Sequence, residues 1–181
     1  MSPIVAIILA VATTPSAADV DHSKDLKKGN CLVRSYAYDF TEEITDILII
    51  CHGDLESGTV RVDYFPITRD AEISFWDRAL GTSAWTRSIT RIPEVVIRFD
   101  DKPVIRLTGG MWSEDVYGKG SFSVDGELDN IISGLVSAKR VRYRVTYSKD
   151  YIGEVKEILF PPGMPELVGE FVRRAKATID D

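Results

Sequence analysis

Short alternations of apolar and polar residues dominate the chain after residue 30 and predict β-strands. Val60, Val62 and Tyr64 alternate with charged residues within 59–65, and successive side chains of a strand point to opposite faces of a sheet. The segment 47–51 is apolar at every position, which predicts a strand covered on both faces. Further strands are predicted at 31–38, 94–99, 104–107 and 140–147.

Two segments near the end of the chain have the apolar spacing of amphipathic helices. The first is 127–138, with Asp125 as its predicted N-cap. The second begins near Pro165, a residue type that suits the first turn of a helix, and carries basic residues in its final turns. This order of elements predicts an α+β fold, in which two helices pack on a mostly antiparallel, sandwich-like β-sheet.

The first 18 residues predict export. An uncharged apolar run is followed by Ser16 and Ala18 at positions −3 and −1 of a cleavage site, and the chain then becomes polar. An uncleaved apolar helix is the alternative, but the run is shorter than the roughly 20 residues that a membrane-spanning helix needs. We therefore predict a signal peptide at 1–18, a flexible lead-in at 19–30 and one domain at 31–181, in the periplasm or outside the cell.

The net charge and the cysteine content restrict which partners and which cellular compartments fit this protein. The formal net charge of −6 argues against nucleic acid as a partner, because such binding requires a basic patch on a basic domain. Cys31 and Cys51 are the only cysteines, and in an oxidising compartment they predict a disulfide. Reduced, buried thiols are the alternative if the chain is not exported.

The sequence contains no recognised catalytic or cofactor motif. It lacks a nucleophile elbow, a phosphate-binding loop, a dinucleotide fingerprint and a zinc-protease motif. A zinc site would have to combine Cys31, Cys51, His52 and Asp54, but Cys51 and His52 are strand neighbours that face opposite ways. We therefore predict no metal, no cofactor and no enzymatic activity.

Paired carboxylates keep one enzymatic alternative open. Asp100 is followed by Asp101, and Glu114 by Asp115, and a glycoside hydrolase needs two carboxyl groups at a set separation. Acids adjacent in sequence rarely have that separation, and turn chemistry explains these residues more simply.

A set of arginines is the main candidate for a binding surface. Three of them share one side of the strand predicted at 140–147, and two more lie on the hairpin predicted at 94–107. If the strands are adjacent, the guanidinium groups would form a basic face for carboxylate or phosphate groups. The simpler interpretation is a solvated face on which arginines pair with acids across strands. The residues concerned are Arg98, Arg106, Arg140, Arg142 and Arg144.

A glycine-rich segment at 108–120 is the second candidate. It contains Trp112 and Tyr117, whose rings would suit a partner or a sugar if they were exposed on a mobile loop. The alternative is a long hairpin loop in which Trp112 folds back onto the core. The same two alternatives apply to Trp76 and Trp85.

Part of the chain resembles a bacterial envelope family. The relevant segments are 95–103, with an Asp-containing turn, 131–140, and the basic strand 142–145, followed by Leu159, Phe160 and Gly163. They resemble β-rich accessory proteins associated with type VI secretion and, more distantly, invasion-associated locus B proteins, although the additional cysteine pair of the latter is absent. The resemblance implies an exported, non-enzymatic accessory or binding module and no catalytic residues.

Together these patterns predict an exported, non-enzymatic binding protein of the bacterial envelope. Its partner would be an envelope protein or an anionic or carbohydrate ligand. The alternatives are a carbohydrate-active hydrolase that uses paired carboxylates and a stoichiometric inhibitor of a cell-wall enzyme.

Overall fold

The computed structural model describes residues 25–37, 43–54, 58–76, 91–113, 119–124, 126–146 and 152–180. The predicted signal peptide at 1–18 lies outside them. The lead-in predicted at 19–30 is described only from residue 25, and there it includes a short strand paired with the next strand of the chain. A polar composition therefore did not prevent this segment from joining the sheet, because a strand of three residues needs few apolar side chains when its backbone bonds to a neighbour.

The strands of the described residues form one antiparallel sheet, as predicted. The strands are β1 (Leu26–Lys28), β2 (Cys31–Ala37), β3 (Ile44–His52), β4 (Thr59–Phe65), β5 (Asp70–Trp76), β6 (Arg91–Phe99), β7 (Ile105–Ser113), β8 (Lys119–Ser123), β9 (Arg140–Thr146) and β10 (Lys156–Leu159). Their order in the sheet is β1-β2-β3-β4-β5-β8-β7-β6-β9-β10.

The two predicted helices are present as α1 (Leu128–Ser137) and α2 (Met164–Asp180). The predicted N-cap Asp125 lies outside the described residues, and Glu127 stands at the N-cap position without a side-chain capping bond. Gly134 allows α1 to lie close to the sheet, because a Cβ there would be 2.4 Å from Cδ2 of Phe99. The sequence and the structure therefore agree on an α+β fold with two helices on a sheet.

The inner face of the sheet and the two helices enclose the hydrophobic core. Helix α2 packs on β1, β2 and β3 and against α1. The sheet curves strongly, since the rings of Phe75 in β5 and Tyr143 in β9 lie 4.4 Å apart between centroids although three strands separate β5 from β9. The Tyr143 hydroxyl also donates to the backbone oxygen of Trp76 at 3.4 Å. Curvature of one sheet thus produces the sandwich-like arrangement.

Strand β3 is covered on both faces in its centre, as its apolar run predicts. Ile47 and Ile49 are buried on the inner face, and Leu48 is buried on the outer face with 2% of its surface exposed. The outer face near β3 and β4 is therefore not a fully solvated surface, a point that matters for the charges it carries.

The predicted disulfide between Cys31 and Cys51 is present. The two residues are directly paired across β2 and β3, with their Cα atoms 4.1 Å apart. The Sδ atom of Met164, the first residue of α2, lies 3.8 Å from the Cys51 sulfur. The bond therefore joins two neighbouring strands at the point where α2 begins to pack on them.

The prediction of a loop at 108–120 is wrong for most of its length. Residues 108–113 continue β7, and 119–120 begin β8. Gly110 and Gly120 are needed for packing, because a Cβ on Gly110 would lie 2.4 Å from Cε1 of Phe122 and one on Gly120 would lie 2.4 Å from Cδ1 of Ile92. Glycine within a strand often marks such a close approach, and here the glycines were mistaken for a sign of loop mobility.

Candidate functional site

The five candidate arginines lie on one contiguous part of the outer face of the sheet. Strands β7, β6 and β9 are neighbours, and the alternate positions of these strands, including Ile97 and Tyr143, point into the core. The arginines of the same strands therefore point outward. We call this set the arginine surface; it consists of Arg98, Arg106, Arg140, Arg142 and Arg144.

Strand register places four of these arginines in two rows. Arg106 and Arg144 flank Val96 from either side, in a row across β7, β6 and β9. In the next row Arg98 stands directly opposite Arg142. Like charges at directly opposite positions destabilise a sheet, so this pair needs a structural or functional reason.

Among the described residues, carboxylates pair with only part of the arginine surface. Arg106 pairs with Glu94 at 2.9 Å, and Arg140 lies 3.5 Å from Glu157. Arg142 has longer contacts, at 3.9 Å to Glu157 and 3.7 Å to Asp101. Exposed pairs of this kind contribute about 0–1 kcal/mol each to stability. Arg106, Arg140 and Arg142 therefore fit the simpler interpretation, in which solvated arginines pair with acids across strands.

Arg98 and Arg144 form the remaining part. The Nη2 atom of Arg98 lies 3.5 Å from the backbone oxygen of Asp101 and has no carboxylate partner among the described residues. Arg144 is exposed and makes no hydrogen bond or ion pair within the described part of the chain. Among the described residues, these two guanidinium groups therefore have no carboxylate partner.

The turn between β6 and β7 organises one end of the arginine surface. Asp100 has a φ of 46°, a conformation that aspartate tolerates better than most residues. Its carboxylate accepts hydrogen bonds from the backbone N–H groups of Lys139 at 3.0 Å and Arg140 at 3.1 Å. Its backbone oxygen accepts from Nη2 of Arg142 at 3.2 Å. The turn is predictable from the sequence, but its contact with Arg142 is not, because that contact joins residues 42 positions apart.

The second candidate, Trp112 with Tyr117, is only partly described. The backbone of Trp112 belongs to β7 and pairs with Gly120 of β8, whereas Tyr117 lies outside the described residues. Trp76 ends β5 and is half-buried, and Trp85 lies outside the described residues. Of the aromatic candidates, the described residues therefore include only Trp76 and the backbone of Trp112.

The described residues offer no cluster that resembles a metal site. No group of three or more His, Cys, Asp or Glu side chains in the described ranges is arranged to hold a metal ion. Cys31 and Cys51 are joined to each other and so are not available as thiolate ligands. His52 accepts from or donates to Thr59 at 3.1 Å, and partial burial together with the charge of Lys27 lowers its pKa.

Comparison with known proteins identifies no relative. No protein-family model, no curated protein and no solved structure matches this chain. The resemblance to envelope accessory proteins therefore stays a prediction from sequence. Within the described residues, no helix is long and apolar enough to cross a membrane.

Proposed function

We propose that the protein is a non-enzymatic binding module that captures a carboxylate- or phosphate-bearing partner through the arginine surface. The observation that carries this proposal is that two of the five guanidinium groups of that surface have no carboxylate partner among the described residues. These two groups belong to Arg98 and Arg144, and Arg142 has only long contacts with carboxylates.

The chemistry of arginine suits this role. A guanidinium group is planar, stays charged at all physiological pH values, and presents N–H donors that match two oxygens of a carboxylate or phosphate. The opposed pair Arg98 and Arg142 costs stability in the absence of an anion. An anion placed between the two groups would remove that cost, which favours binding at this point.

The location we propose is the envelope of a bacterium. The pattern at 1–18 predicts a signal peptide, and the disulfide fits an oxidising compartment. The sequence resemblance to type VI secretion accessory proteins points in the same direction. Under this proposal the partner is an envelope protein or an anionic envelope ligand.

Binding to defined polyanions tests the proposal. We would measure fluorescence anisotropy of labelled polyglutamate and labelled polyphosphate with purified protein, at low and at high salt. The expected result is binding that weakens as salt screens the charges and that is lost in an Arg98→Gln, Arg144→Gln double variant. A Lys27→Gln, Lys176→Gln variant removes the same amount of charge elsewhere and should bind normally. Equal binding by both variants would refute a local site.

The hydrolase alternative has less support. The Asp100 carboxylate is engaged by the N–H groups of Lys139 and Arg140, and Glu114 and Asp115 lie outside the described residues. Turnover of peptidoglycan fragments that is abolished by Glu114→Gln or Asp115→Asn would nevertheless replace our proposal. Stoichiometric loss of lysozyme activity would instead indicate an inhibitor of a cell-wall enzyme.

A further inference from the structure

We infer that the arginine surface and an adjoining strip of exposed aliphatic side chains bind an acidic amphipathic segment of a partner protein. The strip lies beside β9 and consists of Ile152, Val155 and Leu159, which we call the aliphatic strip. This inference rests on the proposed function and adds the class of partner.

The aliphatic strip is unusually exposed for residues of its type. Ile152, Val155 and Leu159 have 56%, 61% and 63% of their surface exposed. Single exposed aliphatic residues are common on soluble proteins; Ile152 and Leu159 stand out because they pair with residues of β9, the strand that carries three of the arginines. Strand β10 lies at the edge of the sheet, and its outward positions are Glu157 and Leu159.

Strand register sets the strip and the arginines side by side. Leu159 pairs with Arg140, and Ile152 pairs with Thr146, both on the outer side of β9. Neighbouring strands are about 4.8 Å apart, so side chains of β10 and β9 that pair on the outer face can contact one partner segment. From Arg140 to Thr146 the surface extends for about 20 Å at about 3.3 Å per residue, enough for about 13 residues of helix.

The distribution of charge favours a protein segment over a lipid surface. Glu157 of β10 stands directly opposite Arg142 and lies between the arginines of β9 and the edge of the sheet. Glu94 occupies the other side of the surface beside Arg106. An anionic bilayer would bring its phosphates against both carboxylates, and the net charge of −6 would add repulsion. A protein segment with placed acidic and apolar groups avoids both carboxylates.

Matched helical peptides test the inference. The probe is a fluorescein-labelled peptide of about 18 residues with a glutamate stripe beside a leucine stripe. In one control peptide glutamine replaces glutamate, and in another alanine replaces leucine; vesicles of phosphatidylglycerol and phosphatidylcholine form a separate arm. The protein variants are Leu159→Ser with Ile152→Ser, and the matched control Ile67→Ser, which alters a side chain that is 58% exposed elsewhere.

We expect the acidic leucine peptide to bind about tenfold more tightly than the alanine peptide, as burial of a leucine-sized surface would provide, and more tightly than the glutamine peptide, which cannot form ion pairs with the arginines. Leu159→Ser with Ile152→Ser should remove the advantage over the alanine peptide, and Ile67→Ser should retain it. Circular dichroism would establish that each variant is folded.

Every other outcome overturns the inference, and the pattern of binding shows whether the proposed function fails with it. Equal binding of the leucine and alanine peptides, with both lost in the Arg98→Gln, Arg144→Gln variant, would leave the proposed function standing without the aliphatic strip. Binding to phosphatidylglycerol vesicles but not to peptides would replace the protein partner by a membrane. Failure of every acidic probe, polyglutamate and polyphosphate included, would overturn the proposed function as well.

Discussion

The outer face of the sheet has two halves that carry arginine differently. On β4, Arg61 bonds to Asp46 at 2.7 Å and also to Asp63, and the side chains of these three residues are only 19%, 14% and 1% exposed. We call β2 to β5 the paired half. On the arginine surface, which we call the open half, Arg106 is 58% exposed and Arg144 has no partner among the described residues. The same residue type thus has a structural role in one half and is accessible in the other.

The difference arises from where the acids lie in the sequence. Asp63 is two residues from Arg61 on the same strand, so both side chains share a face. In β9 the alternate positions are Arg140, Arg142 and Arg144, so no acid of the same strand can reach them. Alternating charge within a strand therefore produces internal pairs, whereas uniform charge leaves pairing to neighbouring strands or to a ligand.

Loss of the buried ion pairs of Arg61 in the paired half should have the largest effect on the free energy of unfolding. Arg61→Met leaves two largely buried carboxylates without this arginine, and loss of one partner of a buried ion pair typically costs about 3–5 kcal/mol. We expect the free energy of unfolding, measured by urea denaturation, to fall by about 4 kcal/mol. Arg144→Met, the same change in the open half, should alter it by less than about 0.5 kcal/mol. Similar losses in both variants would contradict the comparison.

Removal of the disulfide should have the next largest effect. A Cys31→Ala, Cys51→Ala variant loses a bond between positions 20 residues apart, which corresponds to about 3 kcal/mol in the chain-entropy account. Because the bond lies in the paired half, polyglutamate binding by the open half should be unchanged while the variant is folded. Thermal unfolding and anisotropy on the same sample would check both statements. A loss of binding in the folded variant would show that the halves are coupled.

The fold was largely predictable from the sequence, because periodicity reports which side chains are buried. The alternation at 59–65 and at 140–147 identified β4 and β9 almost to the residue. No range was predicted for β5, β8 or β10. Four residues show too little alternation to identify β10, and without that strand the contacts of Glu157 are not predictable. The prediction of a loop at 108–113 is wrong because the sequence does not distinguish a glycine that permits a turn from one, such as Gly110, that leaves space for the ring of Phe122.

The candidate site was predictable only in part. The strand pattern placed Arg140, Arg142 and Arg144 on one face, but only the sheet order brings Arg98 opposite Arg142. The pairing of individual arginines depends on register and on the turn at Asp100, which involve residues distant in sequence. No local motif specifies the chemistry of the ligand; our proposal for it depends on which guanidinium groups have no carboxylate partner among the described residues.

Loss of the Asp100 carboxylate should have an intermediate effect, in the open half. Asp100→Ala removes the acceptor of two backbone N–H groups and places alanine at a positive φ. Together these changes should lower the free energy of unfolding by about 2 kcal/mol. Asp101→Asn is the control, since its side chain is 86% exposed and should change stability by less than about 0.5 kcal/mol. Urea denaturation distinguishes the two; equal effects would show that Asp100 does not fix this turn.

A smaller effect is expected from acid titration of the network behind the paired half. Glu170 accepts from Arg173 and Arg174, and these hydrogen bonds, chiefly that of Arg173, hold the pKa of Glu170 below its usual 4.5. A carboxyl whose pKa is lower in the folded state stabilises the fold above the unfolded value and loses that contribution as pH falls through the folded value. Glu170→Gln should therefore be less stable near neutral pH and lose less stability between about pH 5 and pH 3. If urea denaturation showed the same pH dependence of the free energy of unfolding for Glu170→Gln as for the unsubstituted protein, this prediction would be contradicted.

The substitution with the smallest expected effect on stability, Arg98→Glu, is the most discriminating test, because it introduces an ion pair into the open half. Arg98→Glu replaces a like-charged pair with an opposite one directly across from Arg142, and such pairs contribute about 0.2–1 kcal/mol. We expect the free energy of unfolding to rise by about 0.5 kcal/mol while polyglutamate binding falls below that of Arg98→Gln. Stability and binding would then change in opposite directions at one residue, as expected where a surface is kept unpaired for a ligand. If Arg98→Glu instead lowered stability and left binding intact, Arg98 would have a structural role and the two halves would not differ in the way proposed.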